Sequence, residues 1–251
     1  MTAPSAPSAP TPVPRVPPVP GYGPHREDCP WCGSRRLGHR PRREDPWRAA
    51  PGRSALERCR DCRHVFRNPP LTPGPEHPVV RAGVRLRHDL AARAMLRRHP
   101  DPESWLDVGT GDADFPRTAR RHFPYTSFDG LDPTHRVLRA RAVERVEEAF
   151  VGRLTDPHIA ARLRARYDVV SLFHHLERVP DPRAELRAAL HVLRPGGHLL
   201  VDVADPRRLL VLPPGASHPA GLHVELAARG CTVLTGPRTH RVIARKDASA
   251  P

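Results

Sequence analysis

Ser104-Trp105-Leu106-Asp107-Val108-Gly109-Thr110-Gly111-Asp112-Ala113-Asp114-Phe115 is the stretch that decides the fold. Trp105, Leu106 and Val108 read as a short buried strand, and Gly109-x-Gly111 breaks it sharply. The residues from Asp112 to His122 then read as a helix. Strand, glycine turn and helix N-terminus together make a cradle for a nucleotide-like ligand. A dinucleotide fingerprint would place Gly or Ala where Asp114 stands, so that the helix could pack close beneath a pyrophosphate. It would also avoid carboxylates at that point. Here Asp107 ends the strand, and Asp112 and Asp114 follow the glycines. Such a loop suits a ligand carrying positive charge, an amine or a sulfonium.

A second acid follows. Thr126 to Asp132 reads as another strand, with Asp132 at its end, about 20 residues past the glycines. A carboxylate at that place can take both hydroxyls of a ribose. These residues resemble the class I S-adenosylmethionine-dependent methyltransferases, which carry an acid before Gly-x-Gly on the first strand and an acid ending the second. The similarity continues downstream. Tyr167 to Phe173, with His174, His175, Leu176 and Glu177 after it, looks like the family's fourth strand and following loop. Asp181-Pro182 starts a helix, with Asp as N-cap and Pro at the first helical position. Leu193-Arg194-Pro195-Gly196-Gly197 ends it, and His198 to Val203 reads as the fifth strand.

The resemblance covers residues 104 to 203 and implies an α/β fold: a Rossmann-like, seven-stranded, mainly parallel sheet with helices on both faces and an antiparallel final strand. It implies S-adenosylmethionine held by Asp107, Gly109, Thr110, Gly111, Asp132, Asp156 and Phe173. Asp156 has two roles open to it, an acid near the adenine amine or a helix cap. An acceptor that loses a proton needs a base with a pKa near neutrality, and His174, His175 and Glu177 are the candidates. In relatives Glu177 is often followed by His, where this chain has Arg178.

Further upstream, Cys29-Pro30-Trp31-Cys32-Gly33 and Cys59-Arg60-Asp61-Cys62 form two Cys-x-x-Cys knuckles. Paired knuckles predict a four-thiolate zinc ribbon with Cys29, Cys32, Cys59 and Cys62 as ligands. Gly33 lets the first turn close, whereas Arg63 stands in the second where glycine is commonest. His25 and His64 are read as bystanders, with a substitute ligand role open to either, and the remaining cysteine, Cys231, as a small apolar side chain.

With 251 residues and 33 prolines, the chain has room for one medium domain and something small. The expected division is a Pro-rich disordered tail over 1–24, a separate ribbon over 25–75, a helical linker over 76–100 and the methyltransferase domain over 101–247. In the linker, Leu86, Leu90 and Ala94, with Met95 and Leu96 offset, make the apolar stripe. After Asp132, Thr134 to Glu148 reads as a helix with Val137, Leu138, Val143 and Val146 inward. Ala149 to Val151 reads as a third strand, and Asp156 to Arg166 as another helix. A Pro-rich loop from Asp205, a short helix over 220–229 and two last strands complete the reading.

The net charge is +14, and Lys246 is the sole lysine beside 40 arginines. Residues 1 to 100 hold 19 basic and 8 acidic side chains, so most of the excess lies outside the catalytic region. No apolar run approaches the length of a membrane helix and no signal pattern opens the chain, which reads as soluble and cytoplasmic. The expected activity is methyl transfer to a small molecule, a sugar or specialised metabolite. The alternatives are an RNA methyltransferase gripping RNA through its Arg-rich ribbon, and a binding module that keeps the fold without turnover. Few aromatics accompany the basic segment, so nucleic acid is possible but not favoured.

Overall fold

The computed structural model describes residues 24–39, 55–69, 78–176, 178–203, 219–236 and 240–248. Most of the Pro-rich tail, the Pro-rich loop from Asp205 and Glu177 lie outside the described residues. The ribbon comes first: β1 (Leu37–His39), β2 (Ala55–Cys59) and β3 (Val65–Asn68) form an antiparallel sheet in that order. Helix α1 (Pro78–Leu96) leads into β4 (Ser104–Val108), α2 (Asp114–Ala119) and β5 (Ser127–Asp132). Then come α3 (Arg136–Ala142), β6 (Ala149–Val151), α4 (Pro157–Arg162) and β7 (Tyr167–Phe173). The chain closes with α5 (Pro182–Val192), β8 (Leu193–Asp202), α6 (Pro219–Ala227), β9 (Cys231–Val233) and β10 (Arg241–Lys246).

Strands β4 to β10 form a seven-stranded sheet in the order β6-β5-β4-β7-β8-β10-β9. The first five in that row run parallel, and β10 runs antiparallel to both β8 and β9. The chain steps outward from β4 through β5 to β6, then returns to the other side of β4 at β7. That reversal opens a crevice at the carboxyl ends of β4 and β7, where ligands of open α/β sheets bind.

Both faces of the sheet are covered, as parallel pairing requires. Successive side chains of a strand point to opposite faces. Leu106, Val108, Val170 and Leu172 therefore enter one cluster with Leu186 of α5 and Leu226 of α6. Trp105 and Val169 enter the other with Met95 of α1 and Phe115 of α2. Asp107 and Ser171 share the register of this second face, which puts two polar groups among aromatic rings.

Several expectations need correction. The buried face of α1 is His88, Ala91, Ala92, Ala94 and Met95, so Ala94 and Met95 lie inward as expected, whereas Leu86 and Leu90 are 62% and 48% exposed. Alanines let the helix approach α2 closely, and Phe115 and Trp105 fill the space between, so the larger leucines turn outward. Helix α2 starts at Asp114 rather than Asp112, because Gly111 and Ala113 take left-handed backbone angles. Helix α3 stops at Ala142, since the chain reverses at Glu144 with φ 56°. Val137 and Val146 face inward there, while Leu138 and Val143 are exposed. Helix α4 ends at Arg162, four residues short of the expected span.

The ribbon forms a sheet of its own and packs against the larger one. Cys29, Trp31, Cys59 and Phe66 lie in the same apolar cluster as Leu176 and Leu222. Its second knuckle does close like the first: Arg63 adopts φ 61°, matching Gly33 at 71°. Among the described residues no helix is long and apolar enough to cross a membrane.

Candidate functional site

Gly109 and Gly111, at φ 72° and 54°, turn the chain across the end of β4. The amide of Gly109 donates to Leu131 O at 2.8 Å, which ties the turn to β5. A Cβ on Gly109 would meet His175 Nδ1 at 2.4 Å, and one on Gly111 would meet the Arg136 guanidinium carbon at 3.3 Å. Only glycine leaves this turn open.

Two carboxylates border it. Asp132, at the end of β5, accepts from the Gly111 amide at 2.9 Å and from Thr134 N at 2.8 Å, with the Thr134 hydroxyl on the same oxygen. Asp107 accepts from Ser171 Oγ at 2.6 Å, and Ser171 accepts in turn from the Trp105 indole at 3.0 Å. Burial pushes the Asp107 carboxyl up to about 6, against the opposing hydrogen bond from Ser171.

Asp112 and Asp114 behave otherwise. Asp112 pairs with Arg136 at 2.6 Å and Arg139 at 3.1 Å, and the Arg136 hydrogen bond holds it below the usual carboxylate range. Asp114 pairs with Arg117 at 3.3 Å and Arg145 at 3.6 Å. The negative potential that the sequence assigned to three acids is thus delivered by Asp107, with Asp132 beside it. The arginines that neutralise the other two come mainly from α3 and the turn after it, which local sequence around the glycines could not disclose.

At the end of β7, Phe173 packs against Phe115 at 4.3 Å and His88 at 5.0 Å between ring centroids. His174 follows in left-handed geometry (φ 49°), its amide donating to Asp202 O at 2.9 Å. Its Nε2 lies 3.5 Å from Arg87 of α1. His175 turns the other way, beneath the glycine turn, with Nε2 2.9 Å from the buried Glu185 of α5. The two adjacent histidines therefore serve different surroundings. Asp156 lies at the start of α4 without capping it, and its Oδ2 accepts instead from Arg153 N at 2.8 Å.

Ser171, Glu185 and His88 were not singled out from the sequence. A signal existed for the first two: Ser171 interrupts an apolar strand, and Glu185 stands among Leu186, Ala189 and Leu190 on the inward side of α5. His88 is buried with Nδ1 lacking a hydrogen-bond partner, and burial holds its ring down to about 4. Nothing in the stretch around it marks that position.

The ribbon brings its four cysteines together. Cys29 and Cys62 sulfurs are 3.6 Å apart, as are those of Cys32 and Cys59, and all four lie within 4.8 Å of one another. A tetrahedron with metal–sulfur bonds of about 2.3 Å has edges of about 3.8 Å, so the cluster fits zinc. His64 instead stacks between Trp31 and Phe66, at 5.7 and 5.8 Å.

The methyltransferase domain family matches residues 82–233, from α1 through β9. The chain belongs to that family. The chain is 38% identical over 103 residues to a ubiquinone biosynthesis O-methyltransferase of Serratia proteamaculans, covering 40% of this chain and 42% of that one. The chain spans about half the length of the curated relatives it matches. Among solved structures, an O-methyltransferase family protein from Burkholderia thailandensis superposes with a TM-score of 0.50 at 18% identity, over 68% of this chain and 57% of that chain. The sugar N-methyltransferase KedS8 from Streptoalloteichus sp. ATCC 53650 does so with a TM-score of 0.50 at 17% identity, over 64% and 86%. These structural likenesses are to the fold: a Rossmann-like α/β sheet with helices on both faces.

Proposed function

We propose that the chain transfers a methyl group from S-adenosylmethionine to a small-molecule acceptor. The observation that carries this reading is the pair of carboxylates flanking an open glycine turn: Asp132 at the end of β5 and the buried Asp107 at the end of β4. A dinucleotide would bring a pyrophosphate to that negative potential, whereas an amine and a sulfonium are drawn to it. When bound, the cofactor supplies an already activated methyl, so the protein's part is positioning, exclusion of water and management of the acceptor's proton.

Asp132 is assigned the ribose hydroxyls. Its two oxygens already hold Gly111 N, Thr134 N and Thr134 Oγ1, so accepting a diol exchanges at least one of these donors. Gly109, Thr110 and Gly111 line the methionine side, Phe173 the floor of the crevice and Asp156 the adenine side. Of the candidate bases, His175 is committed through Nε2 to Glu185 and is assigned a positioning role. His174 stands half-buried at the mouth of the crevice and is assigned the acceptor's proton; Glu177, outside the described residues, remains a candidate base on sequence grounds alone. The four cysteines are assigned one zinc ion.

Small-molecule rather than nucleic-acid acceptors are favoured by how the arginines are used. On the methyltransferase domain, Arg136, Arg166, Arg183, Arg194, Arg229 and Arg241 all pair with acids of the chain itself, which leaves fewer of that domain's guanidinium groups for a phosphate backbone. The acceptor class, a sugar or other specialised metabolite, rests on resemblance to relatives.

Calorimetry with S-adenosylmethionine and with NAD tests the reading. Binding of the sulfonium ligand, weakened roughly tenfold to a hundredfold in Asp132→Ala through the loss of charge-assisted bonds of about 1.5–3 kcal/mol, is expected. NAD binding in its place would overturn it.

A further inference from the structure

The cysteine cluster and the glycine turn are joined by an unbroken run of contacts. Trp31 lies between Cys29 and Cys32 in sequence, and its amide donates to Cys29 Sγ at 3.4 Å. Its buried indole faces the guanidinium of Arg183 at 5.7 Å and rests against Gly221 of α6, where a Cβ would meet Nε1 at 3.5 Å. Arg183 belongs to the first turn of α5 and pairs with Glu225 of α6 at 3.0 Å. Two residues on, Glu185 holds His175 at 2.9 Å, and His175 Nδ1 abuts Gly109. A second strut comes from Arg26, which reaches the carbonyl of Pro180 at 3.5 Å. The ribbon therefore braces the segment from His174 to Glu185 at Pro180 and at the start of α5.

We propose that Trp31 is a positioning residue for the cofactor site, and that metal binding in the ribbon and methyl-donor binding at the glycine turn are thermodynamically coupled through it. The inference rests on the assignment of Gly109 and its neighbours to S-adenosylmethionine. Its physical basis is the smallness of the ribbon, whose three strands are three, five and four residues long. In such a module the free energy of metal binding is the free energy of folding. With the four thiolates held, Trp31 is fixed between its ligand neighbours, and α5 is seated against α6. Without the metal both knuckle turns loosen, and Arg183 loses the face of the indole and Pro180 its Arg26 contact. The start of α5, which carries Glu185, is then less restrained. His175 loses its fixed partner and no longer defines the underside of the turn. The two states are a docked and a released ribbon, and each ligand favours the docked one. Linkage makes the coupling reciprocal: the factor by which zinc tightens cofactor binding is the factor by which cofactor tightens zinc binding.

The test uses the full chain in zinc-loaded and zinc-depleted forms, with S-adenosylhomocysteine as the probe in calorimetry and a chromogenic chelator competing for zinc. Affinity for the probe is expected to fall about fivefold or more on zinc removal, within the usual range of coupling factors. A saturating level of the probe should raise the affinity for zinc by the same factor. Trp31→Ala, and separately Arg183→Met, should retain one zinc per chain by elemental analysis yet lose the linkage, while Trp31→Phe retains it. A merely structural role would lower stability in these variants without separating the two affinities. Probe affinities that agree within twofold in the two metal states, or full linkage in Trp31→Ala, would overturn the proposal. Failure of the zinc-loaded native chain to bind the probe at all would remove the cofactor assignment itself, and the coupling with it.

Discussion

Replacing Gly109 by alanine loads the site at one identifiable contact. The new methyl would lie 2.4 Å from His175 Nδ1, far inside the 3.5–4.0 Å at which non-bonded heavy atoms are comfortable. His175 cannot swing aside freely, because Nε2 is held at 2.9 Å by a buried carboxylate. Breaking that bond and stranding Glu185 costs about 1–3 kcal/mol. The left-handed backbone at φ 72° adds roughly 1–2 kcal/mol for any residue with a Cβ. Together these give about 2–5 kcal/mol, or a fall in Tm of roughly 4–20 °C for a domain of this size. Urea unfolding followed by circular dichroism measures the loss. The decisive comparison is a double-mutant cycle with His175→Ala, which removes the atom that the methyl would strike. In that background Gly109→Ala should cost only the backbone part, about 1–2 kcal/mol. A Gly109→Ala variant within about 0.5 kcal/mol of the native chain, or losses that simply add in the double variant, would show that the His175 contact does not set the cost.

Further expectations follow from other parts of the molecule. Asp107 is raised from 3.8 to about 6, so its contribution to stability is fully present below about 3.8 and is lost as pH rises through about 6. A cationic methyl donor needs the carboxylate form, so its affinity should fall about tenfold between pH 7 and pH 5. Asp107→Asn should flatten that slope in pH-resolved calorimetry, and an unchanged slope would exclude this carboxyl as its source. Cys59→Ser should leave less than one zinc per chain by elemental analysis and lower the melting temperature of the ribbon, since three thiolates no longer close the tetrahedron. Lys246, the sole lysine, is buried and donates to Leu190 O at 3.1 Å and Leu193 O at 3.5 Å, at the carboxyl end of α5. Lys246→Met leaves these carbonyls unpaired and removes a cation from a helix C-terminus, which should cost about 1–3 kcal/mol in denaturant unfolding. A loss below about 0.5 kcal/mol would count against that account.

Much of this protein could be read without coordinates, and the reason is locality. Alternation of short apolar strands with helical stretches, a Gly-x-Gly break and an Asp-Pro helix start are each encoded within a few residues. They predicted the strand set from Ser104 to Val203 and the capped start of α5, where Asp181 does accept from Ala184 N at 2.9 Å. Two Cys-x-x-Cys pairs likewise announced a cluster whose sulfurs meet within 4.8 Å. Where the reading went astray, the missing information was non-local. Asp112 and Asp114 look like cofactor-facing acids until α3 and the turn after it set Arg136, Arg139 and Arg145 against them. Leu86 and Leu90 look like the core of α1 until the space beneath that helix is taken by Trp105 and Phe115, leaving room there for alanines and a histidine. His174 and His175 are neighbours in sequence, yet a left-handed residue sends one toward Arg87 and the other toward Glu185. The knuckles of the ribbon are complete within its own sequence, and the packing of Trp31 against Arg183 of α5 and Gly221 of α6 is disclosed only by the fold. Periodicity and spacing determine which elements form and which residues can reach a metal or border the glycine turn. Which charges are cancelled, which faces are buried and which histidine is held depends on groups brought together across tens of residues, and only the folded chain decides that.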